Sequence, residues 1–159
     1  MTNIRPATLE DIPLILRLIR ELADYEKAPR EAVAMPEDIR RDGFSAHPKF
    51  RVVIAEWEGQ AAGFALFFNN YSTWRGRPGI YLEDLFVRPE FRKKGIGKAL
   101  LAHVAAIAVK EGCARFEWAV LNWNTPALEF YQSLGAQVMA EWLTMRLTGD
   151  ALKKLAGSE

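Results

Sequence analysis

The spacing of apolar residues changes twice along the chain. Ile12, Ile15, Leu16, Ile19 and Leu22 recur at helical spacing, after Thr8 and Asp11 placed as in a capping box. Pro13 lies near the start of this run, so the first turn begins near Asp11. A short edge strand over 3–7, ending at Pro6, precedes the helix. Residues 28–34 read as a loop. Pro36, followed by Glu37 and Asp38, opens a second short helix that Gly43 ends. From Phe50 the period shortens. Val52–Ala55 and Ala62–Phe68 are strands joined at Glu58-Gly59, a hairpin. Residues 69–79, rich in Asn, Ser and Gly and holding Trp74, read as a loop, and Ile80–Val87 as a long strand stopped by Arg88-Pro89-Glu90. The helical period then returns over Gly95–Lys110, closed by Gly112. Arg115–Leu121 reads as a strand, Thr125–Ser133 as a helix with Pro126 at its start and Gly135 past its end, and Val138–Leu147 as a last strand before a helical tail over 148–159.

This order predicts an α/β protein of the α+β type: one mixed, mostly antiparallel sheet with helices on both faces. At 159 residues the whole chain, 1–159, is expected to be a single domain with a real core. A net charge of +1 is too balanced for a protein that works by neutralising nucleic-acid phosphates, so no nucleic-acid partner is expected. The single cysteine, Cys113, allows no internal disulfide and suits a reducing compartment. No apolar signal core or membrane-length run appears, so no membrane role is expected and the cytoplasm is the default location.

The basic residues are clustered rather than numerous. Arg92-Lys93-Lys94-Gly95-Ile96-Gly97-Lys98 follows a strand and opens a helix, with Arg88 close by. Glycines let a backbone approach a bulky anion, and a helix N-terminus adds partial positive charge at the same place. A diphosphate bearing a further phosphate is the natural guest. The Walker spacing and the three-glycine dinucleotide fingerprint are both missing.

Other residues carry candidate chemistry. Glu83 lies in a strand rich in Leu, Phe, Val and Tyr; strict alternation puts it on one face with Tyr81, Leu85 and Val87, poorly solvated and so a candidate base. Asp84 competes with it from the opposite face, and spacing alone leaves open which of the two meets a ligand. Tyr131, in Glu129-Phe130-Tyr131, is a phenol able to protonate a leaving group or an ordinary core residue. Tyr25, Glu26, Glu83, Asp84 and Glu117 offer counter-charges or hydroxyls to a cationic substrate, and Trp74 and Trp118 offer aromatic faces. His47 and His103 have no partner at metal-ligand spacing, so no metal is expected.

The loop resembles the GNAT acetyltransferase signature [Arg/Gln]-x-x-Gly-x-[Gly/Ala], matched by Arg92, Gly95 and Gly97. The likeness extends over nearly the whole chain and is strongest to the diamine (spermidine/spermine) branch and its thialysine acetyltransferase relatives. It is carried by Ile4–Thr8, Arg20–Lys27, Asp42–Phe44, Tyr71–Trp74, Tyr81–Val87 and Ala119–Asn124. The resemblance implies acetyl-CoA as co-substrate, held where two parallel strands splay apart. Backbone groups of Leu85, Phe86 and Val87 would pair with the pantetheine arm, the amides of Lys93, Lys94, Gly95, Ile96, Gly97 and Lys98 would hold the pyrophosphate, and Asn124, Pro126 and Ala127 would line the far side. It further implies Glu83 as base, Tyr131 as acid and a homodimeric enzyme. Polyamine-specific members carry an acidic residue where this chain has Ser72-Thr73, which favours a shorter, lysine-like amine. Two alternatives stand beside this reading: acetylation of a protein lysine or N-terminus, and a CoA-binding regulator without catalysis.

Overall fold

The computed structural model of the protein describes residues 1–157 and divides the chain into two units, one from Met1 to Ala119 and one from Val120 onward. In the first unit, β1 (Thr2–Pro6), β2 (Arg51–Trp57), β3 (Gln60–Ser72), β4 (Arg77–Val87) and β5 (Phe116–Trp118) form a five-stranded sheet in sequence order. All neighbours are antiparallel except β4 and β5, which are parallel. That parallel pair needs a crossover, and the helix α3 (Ile96–Lys110) supplies it.

Helices α1 (Ile12–Tyr25) and α2 (Pro36–Gly43) cover one face of the sheet. Ile12, Ile15, Leu16, Leu18 and Leu22 of α1 and Ile39 of α2 close over Val52, Ile54, Phe64, Leu66 and Phe86. The alternate strand residues Val53, Ala55, Ala65, Phe67, Ile80 and Leu82 are also buried, and they form the other face. There α3 contributes Ile96, Leu100, Leu101, Val104 and Ala108. The expected mixed sheet with helices on both faces is therefore present.

Most local signals act as expected. Glu58 and Gly59 both take positive φ, the paired left-handed geometry of a two-residue hairpin turn. The hairpin β3–β4 departs from expectation: the polar segment expected as a loop over 69–79 is largely strand, with the turn confined to residues 73–76. Asn69 donates its side-chain amide to the Gly79 carbonyl at 3.1 Å, and buried Ser72 accepts the Arg75 N–H through Oγ at 3.2 Å. Polar side chains thus bond backbone groups within the hairpin and its turn, and strand geometry persists without an apolar pattern.

The second unit holds α4 (Thr125–Ser133) and α5 (Gly149–Leu155). Taken by itself it contains no strand at Val138–Leu147: a strand needs a hydrogen-bonded neighbour, and the unit's other elements are helices. The helical tail is seen as α5, and its last two residues lie outside the described part.

One ion pair anchors the start of α1. Asp11 accepts two hydrogen bonds from Arg5 at 2.7 and 2.9 Å and one from the Thr8 amide at 2.7 Å. The Arg5 guanidinium holds the Asp11 carboxyl down to about 2 against the opposing effect of burial. Because this folded-state pKa is lowered, the stability it supplies is present above about pH 4 and lost as pH falls toward 2. Asp11→Asn is expected to lower unfolding stability by about 2 kcal/mol at neutral pH. Urea melts of both proteins should show the gap shrinking below pH 4; a gap independent of pH would contradict the assignment.

Candidate active site

The segment between β4 and α3 has the backbone of an anion cradle. Lys93 and Gly95 take left-handed conformations, φ 63° and 78°, on either side of Lys94. Such alternation turns successive N–H groups toward one point. The first turn of α3, from Ile96, leaves further N–H groups without helical acceptors. Gly97 is not demanded by packing: a Cβ there would meet nothing closer than Val87 Cγ2 at 3.8 Å. The glycine leaves open surface on the loop, as an approaching ligand requires.

The basic side chains divide their work. Arg92 turns back from the loop: its Nε donates to the Val87 carbonyl at 3.0 Å, and its guanidinium lies 4.8 Å from the Tyr25 ring centre and 5.7 Å from that of Phe86. Lys94 lies over the Trp57 ring at 5.1 Å. Arg88 clasps Glu21 of α1 through two hydrogen bonds of 3.0 Å and also reaches the Ala61 carbonyl. Of the cations expected around the anion, Lys93 stands exposed on the loop and Lys98 on the first turn of α3, while the Arg92 and Arg88 side chains brace the loop against α1 and the sheet.

β4 is irregular where the chemistry is expected. Leu82 pairs with Phe67 and Asp84 with Leu66, so Glu83 is a surplus residue with no partner on β3. A bulge of this kind breaks strict alternation. On the far side of it Asp84 and Phe86 align with Leu66 and Phe64, facing α1, while Leu85 and Val87 align with Ala65 and Gly63, facing α3. The expected face shared by Tyr81, Glu83, Leu85 and Val87 is therefore corrected. Tyr81 packs against Phe68 at 5.5 Å on the α1 side, and Glu83 is exposed at the bulge rather than poorly solvated. The spacing of Leu82 and Leu85, with two acids between, was the available signal.

The acid that is poorly solvated is Asp84. Burial, then the nearby charges of Glu83 and Glu26, raise its pKa to about 7. Burial also raises Glu26, just past the end of α1. Tyr25 joins this group through Phe86, with ring centres 6.4 Å apart. Tyr25, Glu26, Asp84, Phe86 and Arg92 thus converge at the end of α1. Trp74 does not join them; it sits highly exposed in the turn at the closed end of the β3–β4 hairpin. Glu117 stands beside Tyr81 in the parallel register and within 3.8 Å of Arg115, and Trp118 packs on Phe116 at 5.0 Å.

The parallel pairing runs from Ile80 and Phe116 to Leu82 and Trp118 and stops. β4 continues to Val87 with β3 as its partner, so the edge at Leu85–Val87 is open toward the β5 side within the first unit. In the second unit Asn124 caps α4, accepting the Ala127 N–H at 3.3 Å, with Pro126 in the first turn and Tyr131 packed against Phe130 at 5.5 Å. Among the described residues no group of three or more His, Cys, Asp or Glu is placed to hold a metal, and no helix is long and apolar enough to cross a membrane.

The sheet carries one parallel pair with a glycine-bearing anion cradle between its two strands; the sequence model of the Acetyltransferase (GNAT) family matches residues 15–136, and the chain belongs to that family as an N-acetyltransferase. Thialysine N-epsilon-acetyltransferase of Mus musculus is 41% identical over 98% of each chain. L-ornithine N5-acetyltransferase NATA1 of Arabidopsis thaliana is 52% identical over 97% of this chain and 87% of its own. Among solved structures, the integron cassette protein VCH_CASS6 from V. cholerae superposes with a TM-score of 0.82 at 30% identity, covering 99% of this chain and 98% of that one.

The open surface at Gly97 yields a test. Gly97→Leu is expected to weaken acetyl-CoA binding about tenfold or more, a loss of about 1.4 kcal/mol, while leaving the melting temperature within a few degrees. Calorimetric titration and a thermal melt check both halves. Unchanged affinity would remove the loop from donor binding.

Proposed function

We propose that the protein transfers the acetyl group of acetyl-CoA to the side-chain amine of a small, lysine- or ornithine-like substrate, by direct attack in a ternary complex. The observation that carries this reading is the pair of carboxylates at the β4 bulge, joined by Glu26, beside the open edge of Leu85–Val87. Acetyl transfer to an amine needs an ammonium to be held and then stripped of a proton; a cluster of acids answers the first need and supplies a base for the second. The open strand edge suits the amide-bearing arm of the donor, and the cradle at Lys93–Lys98 suits its phosphates. Full-length likeness to proteins named for thialysine and ornithine acetylation supports an amino-acid-sized acceptor. Likeness to a human spermidine/spermine N(1)-acetyltransferase-like protein, 33% identical, keeps diamines and polyamines within the class, though that match spans only 24% of the longer protein.

The chemistry then divides among named groups. The amine loses its proton to the acid pair Glu83–Asp84 and attacks the thioester carbonyl. The C–N bond forms, the C–S bond breaks, and Tyr131 protonates the departing thiolate. A phenol of ordinary pKa ~10 holds its proton at neutral pH and can deliver it to a thiolate.

Thiol release measured over a panel of thialysine, lysine, ornithine, spermidine, a lysine-containing peptide and no amine tests the reading. Turnover is expected to be fastest with a free amino acid or diamine. Fastest turnover of the peptide would favour a protein acetyltransferase, and only background with every amine despite donor binding would favour a regulator. Tyr131→Phe is expected to lower kcat at least tenfold without weakening acetyl-CoA binding; full activity would remove Tyr131 from the mechanism.

A further inference from the structure

We infer that Asp84, on the α1 side of the β4 bulge, is the group that takes the proton from the acceptor amine, and that exposed Glu83 acts on it as a neighbouring charge. This rests on the acetyltransferase reading above and names the base within it.

The geometry separates two acids that adjoin in sequence. Glu83 is the surplus residue of the bulge, exposed and without a partner on β3. Asp84 is half-buried on the opposite side of the kink, aligned with Leu66 and Phe86 and directed at the end of α1. Among the described residues no hydrogen bond or ion pair with Asp84 is seen, and no cation is placed to compensate it. Two charged groups act on it. From α1's end comes Glu26, of the same sign. From β4 itself comes Glu83, also of the same sign. The Arg88 guanidinium is engaged with Glu21, and that of Arg92 lies on Tyr25 and Phe86 while donating to Val87. A carboxylate in such surroundings gains by accepting a proton, and its pKa of about 7 follows from burial and the two like charges.

That value suits the task. An alkylammonium has a pKa of about 10.4, and a carboxylate at about 7 is roughly 10³ more basic than one at the ordinary 3.9. The balance is simple. Asp84 enters as carboxylate, takes one proton from the ammonium and becomes the carboxylic acid. The neutral amine attacks, the C–N bond forms and the C–S bond breaks as Tyr131 protonates the thiolate; the second proton on the acylated nitrogen then restores the Tyr131 phenol, and Asp84 returns its proton to solvent. Glu83 is exposed, and its charge helps to raise Asp84.

The test is the pH dependence of kcat/KM for the acceptor at saturating acetyl-CoA, in the whole enzyme and three variants. The wild type is expected to lose activity on the acid side with a midpoint near 7. Asp84→Asn should abolish that midpoint and lower kcat about 10² to 10⁴-fold. Glu83→Gln and Glu26→Gln should each keep the midpoint but move it to lower pH, since each removes a like charge. The Glu26 variant keeps the test alive should Asp84→Asn fail to fold. The proposal is overturned if Asp84→Asn keeps the midpoint, if that variant raises KM alone with kcat unchanged, if Glu83→Gln abolishes the midpoint, or if neither Glu variant moves it. A wild type whose thiol release no amine raises above the amine-free background overturns the acetyltransferase reading itself, a result distinct from an active wild type whose midpoint survives at Asp84→Asn.

Discussion

Between Leu82 and Asp84 strand β4 has one residue more than its partner, and the rest of the site follows from that mismatch. Without it Asp84 would share a face with Leu82 under α3. With it the strand reverses its faces: Asp84 and Phe86 turn to α1, Leu85 and Val87 to α3. The parallel ladder to β5 ends at Leu82, directly before the surplus residue. A bulge bends a strand and increases its twist, so one irregularity accounts for an open strand edge and for an acid held out of water. Catalytic acids require this kind of unequal environment; adjacent carboxylates on a regular strand would differ only by face.

The ends of the site are tied together by arginines. Arg88 joins the exit of β4 to α1 through Glu21 and to β3 through Ala61, and Arg92 joins the phosphate cradle to Tyr25 and Phe86. A guanidinium over an aromatic ring contributes about 0.5–2 kcal/mol depending on its exposure. The Arg92 side chain thus turns away from the loop and fixes the wall on which Glu26 and Asp84 meet.

Much of the fold is legible in the residues. The helical spacing from Ile12 to Leu22, Pro36 as a helix start, the Glu58-Gly59 turn and the cradle ending in Gly95 all act locally, so their signals lie within a few neighbours. The β3–β4 hairpin is less legible because Asn69 and Ser72 satisfy backbone groups with polar side chains and leave no apolar alternation. The candidates for the site can be named from the sequence, but not their geometry. Tyr25, Glu26, Asp84, Phe86 and Arg92 can each be singled out in the sequence, yet the bulge depends on the register against β3. The clasps Arg88–Glu21 and Arg51–Glu111 join residues far apart in the chain, which no short-range pattern encodes.

The central claim is that the bulge gives two adjoining carboxylates different surroundings, leaving Asp84 protonated in part at neutral pH. A carbon-13 NMR titration of the aspartate side-chain carboxyls in the resting protein, with Asp84→Asn used to assign the signal, tests it most directly. The account predicts a midpoint near 7 for Asp84, moving down when Glu26 is replaced by Gln. A midpoint near 4, the ordinary aspartate value, would contradict it.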